Sequence, residues 1–205
     1  SMAQPLGTHI GNALEVKDAI DVLAGRTQGD LLEISLLLGS HMLVLAEKVK
    51  TLPEARAMLE NALSSGAGLR KLAEMIAAQG GDPRVVEDLS LLPQAAVKRV
   101  MRAETAGYLS AMDTTALGMA AQRMGAGRAK KSDMLDYSVG YVLHVRLGDE
   151  VTEDTLLATL YARNEAEAEE AEKAIRKALT IAKEKPQTPK LWDAVVTAEG
   201  ITYNR

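Results

Sequence analysis

Residues 3–20 read AQPLGTHIGNALEVKDAI. A proline, glycines at 7 and 11, an asparagine at 12 and then a run of helix formers describe a loop that turns into a helix. Asn12 suits the N-cap, because a short side-chain oxygen can accept from the unpaired amides of the first turn. Over 13–24, Leu14, Val16, Ile20 and Leu23 leave Lys17, Asp18 and Asp21 for the wetter side. A loop of this kind ordinarily follows a strand inside an α/β domain. Here no strand precedes it, and the fold turns on what supports it.

Outward from that stretch, residues 1–90 read as helices. Gly25 ends the first. DLLEISLLLGSHMLVLAEKV at 30–49 is the second. Its apolar residues wrap most of the circumference, so it is expected to be central. TLPE at 51–54 combines a Thr cap, an early proline and a glutamate three residues on, a capping box that opens the third helix. AGLRKLAEMIAAQGG at 67–81 is a fourth helix stopped by Gly80 and Gly81, and DPRVVEDL adds a short helical turn. A bundle would satisfy this segment but would leave the opening loop orphaned.

The pattern changes near 90–95. Val97, Arg99 and Met101 alternate with Lys98, Val100 and Arg102, a strand signature, and Gly107 marks a second strand. Asp113 caps a helix over 114–124 that stops in GAGRAKK. Residues 137–162 read as two strands around a Gly-Asp turn. NEAEAEEAEKAIRKALTIAKEK at 164–185 is a helix capped by Asn164, acidic first and basic later, as the helix dipole favours. Glu169–Lys173 and Glu172–Arg176 are i,i+4 pairs in the better orientation. PKLWDAVVT offers an edge strand. The fold class is therefore α+β.

Composition narrows the chemistry. The chain has 205 residues, 47% hydrophobic, with no Phe and one Trp, so its core rests on aliphatic residues and nine Met. A net charge of -4 gives no electrostatic reason to expect nucleic acid or an anionic membrane. No cysteine is present, which excludes disulfides, thiolate metal sites and thiol nucleophiles. No apolar run reaches the length of a membrane span. His9, His41 and His144 form no i,i+4 metal pair and read as structural or surface residues. The carboxylates of 165–172 read as a solvated helix face. GAGRAKKSD lacks P-loop spacing and reads as a helix stop with a solvated turn.

QPLGTHIGNALEVKDAIDVLAG, AQGGDPRVV, LLPQA, GAGRAKKSDMLDYSVGYVLH and GDEV with LLATLYA, in this order, resemble the C-terminal half of bacterial pyrimidine-nucleoside phosphorylases, close relatives of thymidine phosphorylase. The likeness runs from Gln4 to about Lys190. It implies a helical remnant of an α/β catalytic lobe over 1–92, then an α/β hammerhead-like, barrel-sandwich domain over 93–205. Such enzymes cleave pyrimidine nucleosides with inorganic phosphate, giving base and (2-deoxy)ribose 1-phosphate, as cytoplasmic homodimers. Their Lys-His-Ser-Thr-Gly-Gly phosphate loop and base-holding Arg/Ser/Lys set lie upstream of the first residue here. The resemblance therefore implies no catalytic or substrate-binding residue within this chain, and an inactive fragment. Ser1-Met2 reads as the scar of a cloning tag.

The family also binds a monovalent cation, K⁺. The resemblance carries part of its shell to the main-chain carbonyls of Leu6 and His9 and the side chain of Asp18. The family has Glu at position 18 and a small residue at 9. The remaining ligands belong to the phosphate loop, so the site is expected to stay empty in this chain. GDEVTEDTLLATLYA also resembles the turn and strand of biotinyl or lipoyl barrels, but LYARNE lacks the lysine a carrier needs. A plain interaction module is the third reading: helix 31–46 would offer an apolar contact surface, and self-association is expected.

Overall fold

The computed structural model describes residues 1–204. The chain divides into two compact units, one of residues 13–94 and one of residues 1–12 with 95–205. The division falls at 94/95, and the first twelve residues group with the C-terminal part rather than with the helices.

The helical unit contains α1 (Asn12–Leu23, from Ala13 on), α2 (Asp30–Leu45), α3 (Leu52–Ser64) and α4 (Ala67–Ala78), then tight turns at Pro83–Val86 and Leu89–Leu91. Gly25 ends α1 with φ 72°, a left-handed conformation that suits glycine. At the start of α3 the capping box is complete: the Glu54 amide donates to Thr51 Oγ1 at 3.3 Å and the Thr51 amide to Glu54 Oε2 at 3.2 Å. Arg56 on α3 then reaches Glu33 on α2 with two 3.0 Å bonds and Glu60 at 2.8 Å. Two small cores result. Ile20, Val85 and Val86 centre one; Val22, Leu32 and Leu36 centre the other. Helix α2 is not central, contrary to its sequence pattern. It buries only Leu32, Leu36 and Ser40, while Leu38, Met42 and Leu45 are 56%, 68% and 82% exposed.

The second unit carries the strands. One sheet has the order β1-β4-β6-β2, from His9–Ile10, Gly140–Leu143, Leu156–Ala162 and Val97–Arg102, each neighbour antiparallel. A second has the order β5-β3-β7, from Glu150–Val151, Gly107–Met112 and Leu179–Ala182. Both sheets share one core with α5 (Thr114–Ala121) and α6 (Glu165–Ala178), built around Met101, Leu109, Leu117, Tyr141, Leu160 and Ile175. The Tyr141 hydroxyl donates to Leu117 O at 2.8 Å, and burial pushes its pKa up. A separate two-stranded ribbon, β8 (Ala194–Thr197) with β9 (Gly200–Tyr203), ends the chain.

Three readings change here. The segment 137–162 holds three strands, not two: β4 and β6 pair with each other, and β5 between them joins the other sheet. The last helix stops at Ala178, and Leu179–Ala182 is a strand on β3. Leu-Thr-Ile fits a pleated, half-buried surface, and β3 supplies the ladder, so pairing overrides helical continuity. PKLWDAVVT does not edge either main sheet.

Helix α6 is fixed to β2 by Glu172, whose side chain is 18% exposed. Its carboxylate accepts from Arg99 Nε at 2.6 Å and Arg176 Nη2 at 2.9 Å. Burial alone would raise its pKa, but the two guanidinium bonds outweigh that and hold it below the ordinary value. A carboxylate with a depressed folded pKa stabilises above its unfolded pKa, and that contribution fades as pH falls through the folded value. Glu172→Ala is expected to cost about 2 kcal/mol at pH 7, the range for charged hydrogen bonds, and to flatten the acid limb of a Tm-versus-pH curve. A variant with wild-type Tm at pH 7 contradicts this account.

Candidate functional site

The opening loop is not orphaned. In β1, His9 pairs with Val142 and Ile10 with Tyr141, antiparallel to β4. The Leu143 amide extends the ladder by donating to Thr8 O at 2.8 Å. Where the strands meet, Gly11 and Gly140 lie face to face, with φ of 127° and 149°. A Cβ on Gly11 would overlap Val139 O, and one on Gly140 would overlap Ile10 O. Both positions require glycine because backbone lies where a side chain would stand.

Ahead of β1 the loop is held by a cation from this chain. Arg146 Nη1 donates to Pro5 O at 2.7 Å and more weakly to Gly7 O at 3.4 Å; Nη2 reaches Leu6 O at 3.4 Å. The Leu147 amide donates to Gln4 Oε1 at 2.9 Å. Arg146 is itself set by the Gly-Asp turn: Asp149 Oδ2 accepts from the Arg146 amide at 2.7 Å, and the Asp149 amide donates to Arg146 O at 3.1 Å. That turn is bonded to β3 through Gly148 N to Leu109 O and Leu109 N to Asp149 O, both 2.9 Å. Asn12 closes the loop by donating from Nδ2 to Ala126 O at 2.9 Å.

Each predicted cation ligand has a distinct setting. Leu6 lies in the carbonyl-rich loop, and its carbonyl faces the Arg146 guanidinium. His9 lies in β1, its Nδ1 3.0 Å from Thr8 Oγ1. Asp18 lies in the helical unit on α1 at 3% exposure. A carboxylate so buried needs compensating partners, which a cation or hydrogen bonds supply. Main-chain and carboxylate oxygens suit a hard cation, whereas a guanidinium beside Leu6 competes for the same carbonyl. Among the described residues no group of three or more His, Asp or Glu side chains is placed to hold a metal.

The other candidates resolve singly. His144 Nε2 lies 2.9 Å from Thr159 Oγ1, and burial together with Lys98 lowers its pKa. Its side chain thus serves a strand-to-strand bond. In the Gly-rich segment, Asp133 Oδ2 accepts from the Ala129 amide at 3.1 Å and the Lys130 amide at 2.8 Å. Those two amides are thus bonded to a carboxylate of the chain itself. The acidic face of α6 pairs with bases at Arg163–Glu167, Lys173–Glu169 and Arg176–Glu172. Sequence reasoning missed Arg146 and Gly140. The signal for Gly140 was a lone glycine inside an apolar strand pattern, which marks close backbone approach; an arginine between strands carries no comparable signal.

Gly140→Ala is expected to cost on the order of 3 kcal/mol through a clash and a strained φ. Arg146→Ala is expected to cost about 2 kcal/mol and to raise hydrogen exchange at the amides of residues 5–11 while leaving β6 protected. Uniform exchange in Arg146→Ala, equal to wild type along the loop, refutes the anchoring role.

Comparison with known proteins places this geometry. Residues 108–182 match the pyrimidine nucleoside phosphorylase C-terminal domain. Over 164 residues, 80% of the chain, the sequence is 49% identical to pyrimidine-nucleoside phosphorylases of Geobacillus stearothermophilus and of Bacillus subtilis strain 168, covering 38% of each. Over 181 residues, 88% of the chain, it is 43% identical to the Staphylococcus aureus USA300 enzyme, covering 42% of it. The chain thus spans 38–42% of the length of these curated relatives. With the domain match and this level of identity over most of its residues, the chain is similar to a C-terminal portion of pyrimidine-nucleoside phosphorylases.

Proposed function

We propose that this polypeptide is the scaffold portion of an enzyme that cleaves pyrimidine nucleosides with inorganic phosphate. In that reaction a phosphate oxygen bonds to the anomeric carbon as the carbon–nitrogen bond to the base breaks, giving base and (2-deoxy)ribose 1-phosphate. The observation that carries the reading is 43–49% identity to named pyrimidine-nucleoside phosphorylases over four fifths of the chain or more. The domain reading proposed with it is a catalytic-lobe part over 1–92 and a C-terminal domain over 93–205, with two sheets around one core as a hammerhead-like barrel-sandwich. Cytoplasmic location and a homodimeric parent belong to the same proposal, and restriction to deoxyribonucleosides is the alternative within it.

On this reading the chain supplies scaffold and no group for the chemical step. The reading assigns no catalytic or substrate-binding role within the chain, and it is supported by the Ala129 and Lys130 amides of the glycine-rich segment being bonded to Asp133. The purified chain is therefore expected to release no detectable thymine or uracil from thymidine or uridine with phosphate. Turnover above the uncatalysed rate overturns the scaffold reading. A non-catalytic binding module is the second reading, favoured by the packed strands of residues 140–162; its carrier form predicts a biotin or lipoate adduct in the intact mass.

The cation belongs to the proposal in the same way. Leu6 and His9 would give main-chain oxygens and Asp18 a carboxylate, with the rest of the shell from other residues of the enzyme. Replacing Na⁺ by K⁺ at constant ionic strength is accordingly expected to leave the Tm of this chain unchanged. A K⁺-specific rise that disappears in Asp18→Asn shows instead that these residues suffice.

A further inference from the structure

Between Asp113 and Asp133 the sequence carries no carboxylate. It carries four bases there, Arg123, Arg128, Lys130 and Lys131, in a chain whose net charge is -4. Elsewhere guanidinium groups are paired with acids, as Arg26 is with Asp21 and Arg56 with Glu33. Arg128, Lys130 and Lys131 are exposed, and among the described residues their side chains have no ion-pair partner.

The backbone beneath these three bases is fixed. Gln122 Nε2 donates to Arg128 O at 2.6 Å. The Asp133 amide donates to Lys130 O at 3.0 Å, closing a turn, and the Asp136 amide donates to Gly125 O at 3.0 Å, tying the ends of the loop. A tied loop displays its charges without the ordering cost that a floppy segment incurs on binding. Asp133 Oδ2 accepts from the Ala129 and Lys130 amides. A ligand therefore meets side chains here rather than those amides.

The surroundings set the size of the ligand. Residues 128–131 span at most about 14 Å, the reach of two or three linked phosphates. Acid begins beside Arg123, where Glu167 and Glu170 line the same hollow. A long polyanion extending past the loop meets those carboxylates and the net negative charge, whereas a short one touches the loop alone.

We propose that Arg128, Lys130 and Lys131 form a receptor for a short oligophosphate, the chemistry shared by inorganic tripolyphosphate and the triphosphate of a nucleotide. Three bases within four residues match closely spaced phosphate charges. The groups are exposed, so salt screens the attraction. The inference is independent of the phosphorolysis reading, because it draws only on this loop.

Calorimetric titration of the 205-residue chain with magnesium-free tripolyphosphate, UTP and ATP at low salt is expected to show saturable binding. Adding about 200 mM NaCl is expected to weaken it ~10-fold or more. Lys130→Gln combined with Lys131→Gln is expected to weaken it ~10-fold. Lys48→Gln combined with Lys50→Gln removes the same charge from an exposed turn after α2 and is expected to leave it unchanged. Nucleotides that bind no tighter than tripolyphosphate assign the ligand to the phosphate chain alone; tighter binding assigns the base a share. Absence of saturable binding, or equal weakening by the two double variants, overturns the proposal. So does tighter binding of a single-stranded oligonucleotide, which gives the loop to nucleic acid instead. If a variant fails to fold, amide chemical shifts of the unmodified chain decide: titration is expected to move residues 128–133, and shifts confined to other segments refute the receptor.

Discussion

The strand-bearing unit depends on one juxtaposition: residues 5–12 laid against β4 and the turn at 146–149. Two physical demands meet there. Backbones must approach more closely than any side chain allows, which Gly11 and Gly140 permit. Carbonyls turned away from a ladder must find a donor, and Arg146 supplies it to Pro5 at 2.7 Å. Buried or half-buried carbonyls without a partner are costly, so the guanidinium lets an irregular segment lie against a sheet. The Gly-Asp turn matters for the same reason, since Asp149 sets the backbone from which Arg146 reaches.

A second organising element is the charged seam between β2 and α6. Arg99, Glu172 and Arg176 form a chain of charge-assisted bonds, and Arg176 continues to Arg102 O at 2.9 Å. Two bases on one carboxylate satisfy both of its oxygens, the condition under which a partly buried ion pair repays its desolvation. The apolar side of α6, through Ala168, Ala171, Ile175 and Ala178, meets the shared core. Small residues at three of those positions let the helix lie close to the sheet.

What was legible in the sequence followed local chemistry. The Thr51 box, the Gly25 stop, the Asp113 cap and the Asn164 cap are satisfied within a few residues, and each appears where its motif stands. What was missed is held by distant partners. β1 exists because β4 is beside it, and two residues of His-Ile carry no strand signal. β7 looked like the tail of a helix because Leu-Thr-Ile-Ala continues an apolar face until β3 claims it. Helix α2 misled in the opposite way: apolar residues all round suggested a central place, whereas burial within its unit falls on Leu32, Leu36 and Ser40. At the candidate site the residues Leu6, His9 and Asp18 came from family likeness, while Arg146 became visible only through the carbonyls it gathers.

The passage from α6 to β7 has a mechanical consequence. Ala178 is the last helical residue and Leu179 already lies extended, at φ -109° and ψ 131°, with no linker between them. Such a junction has no slack. One residue inserted at this point would turn the faces of β7 over, sending Leu179 outward and a neighbour into the core. The spacing between the Asn164 cap and the β3–β7 ladder is therefore a ruler, and tolerance for changes of length must lie elsewhere, in exposed turns such as 127–134.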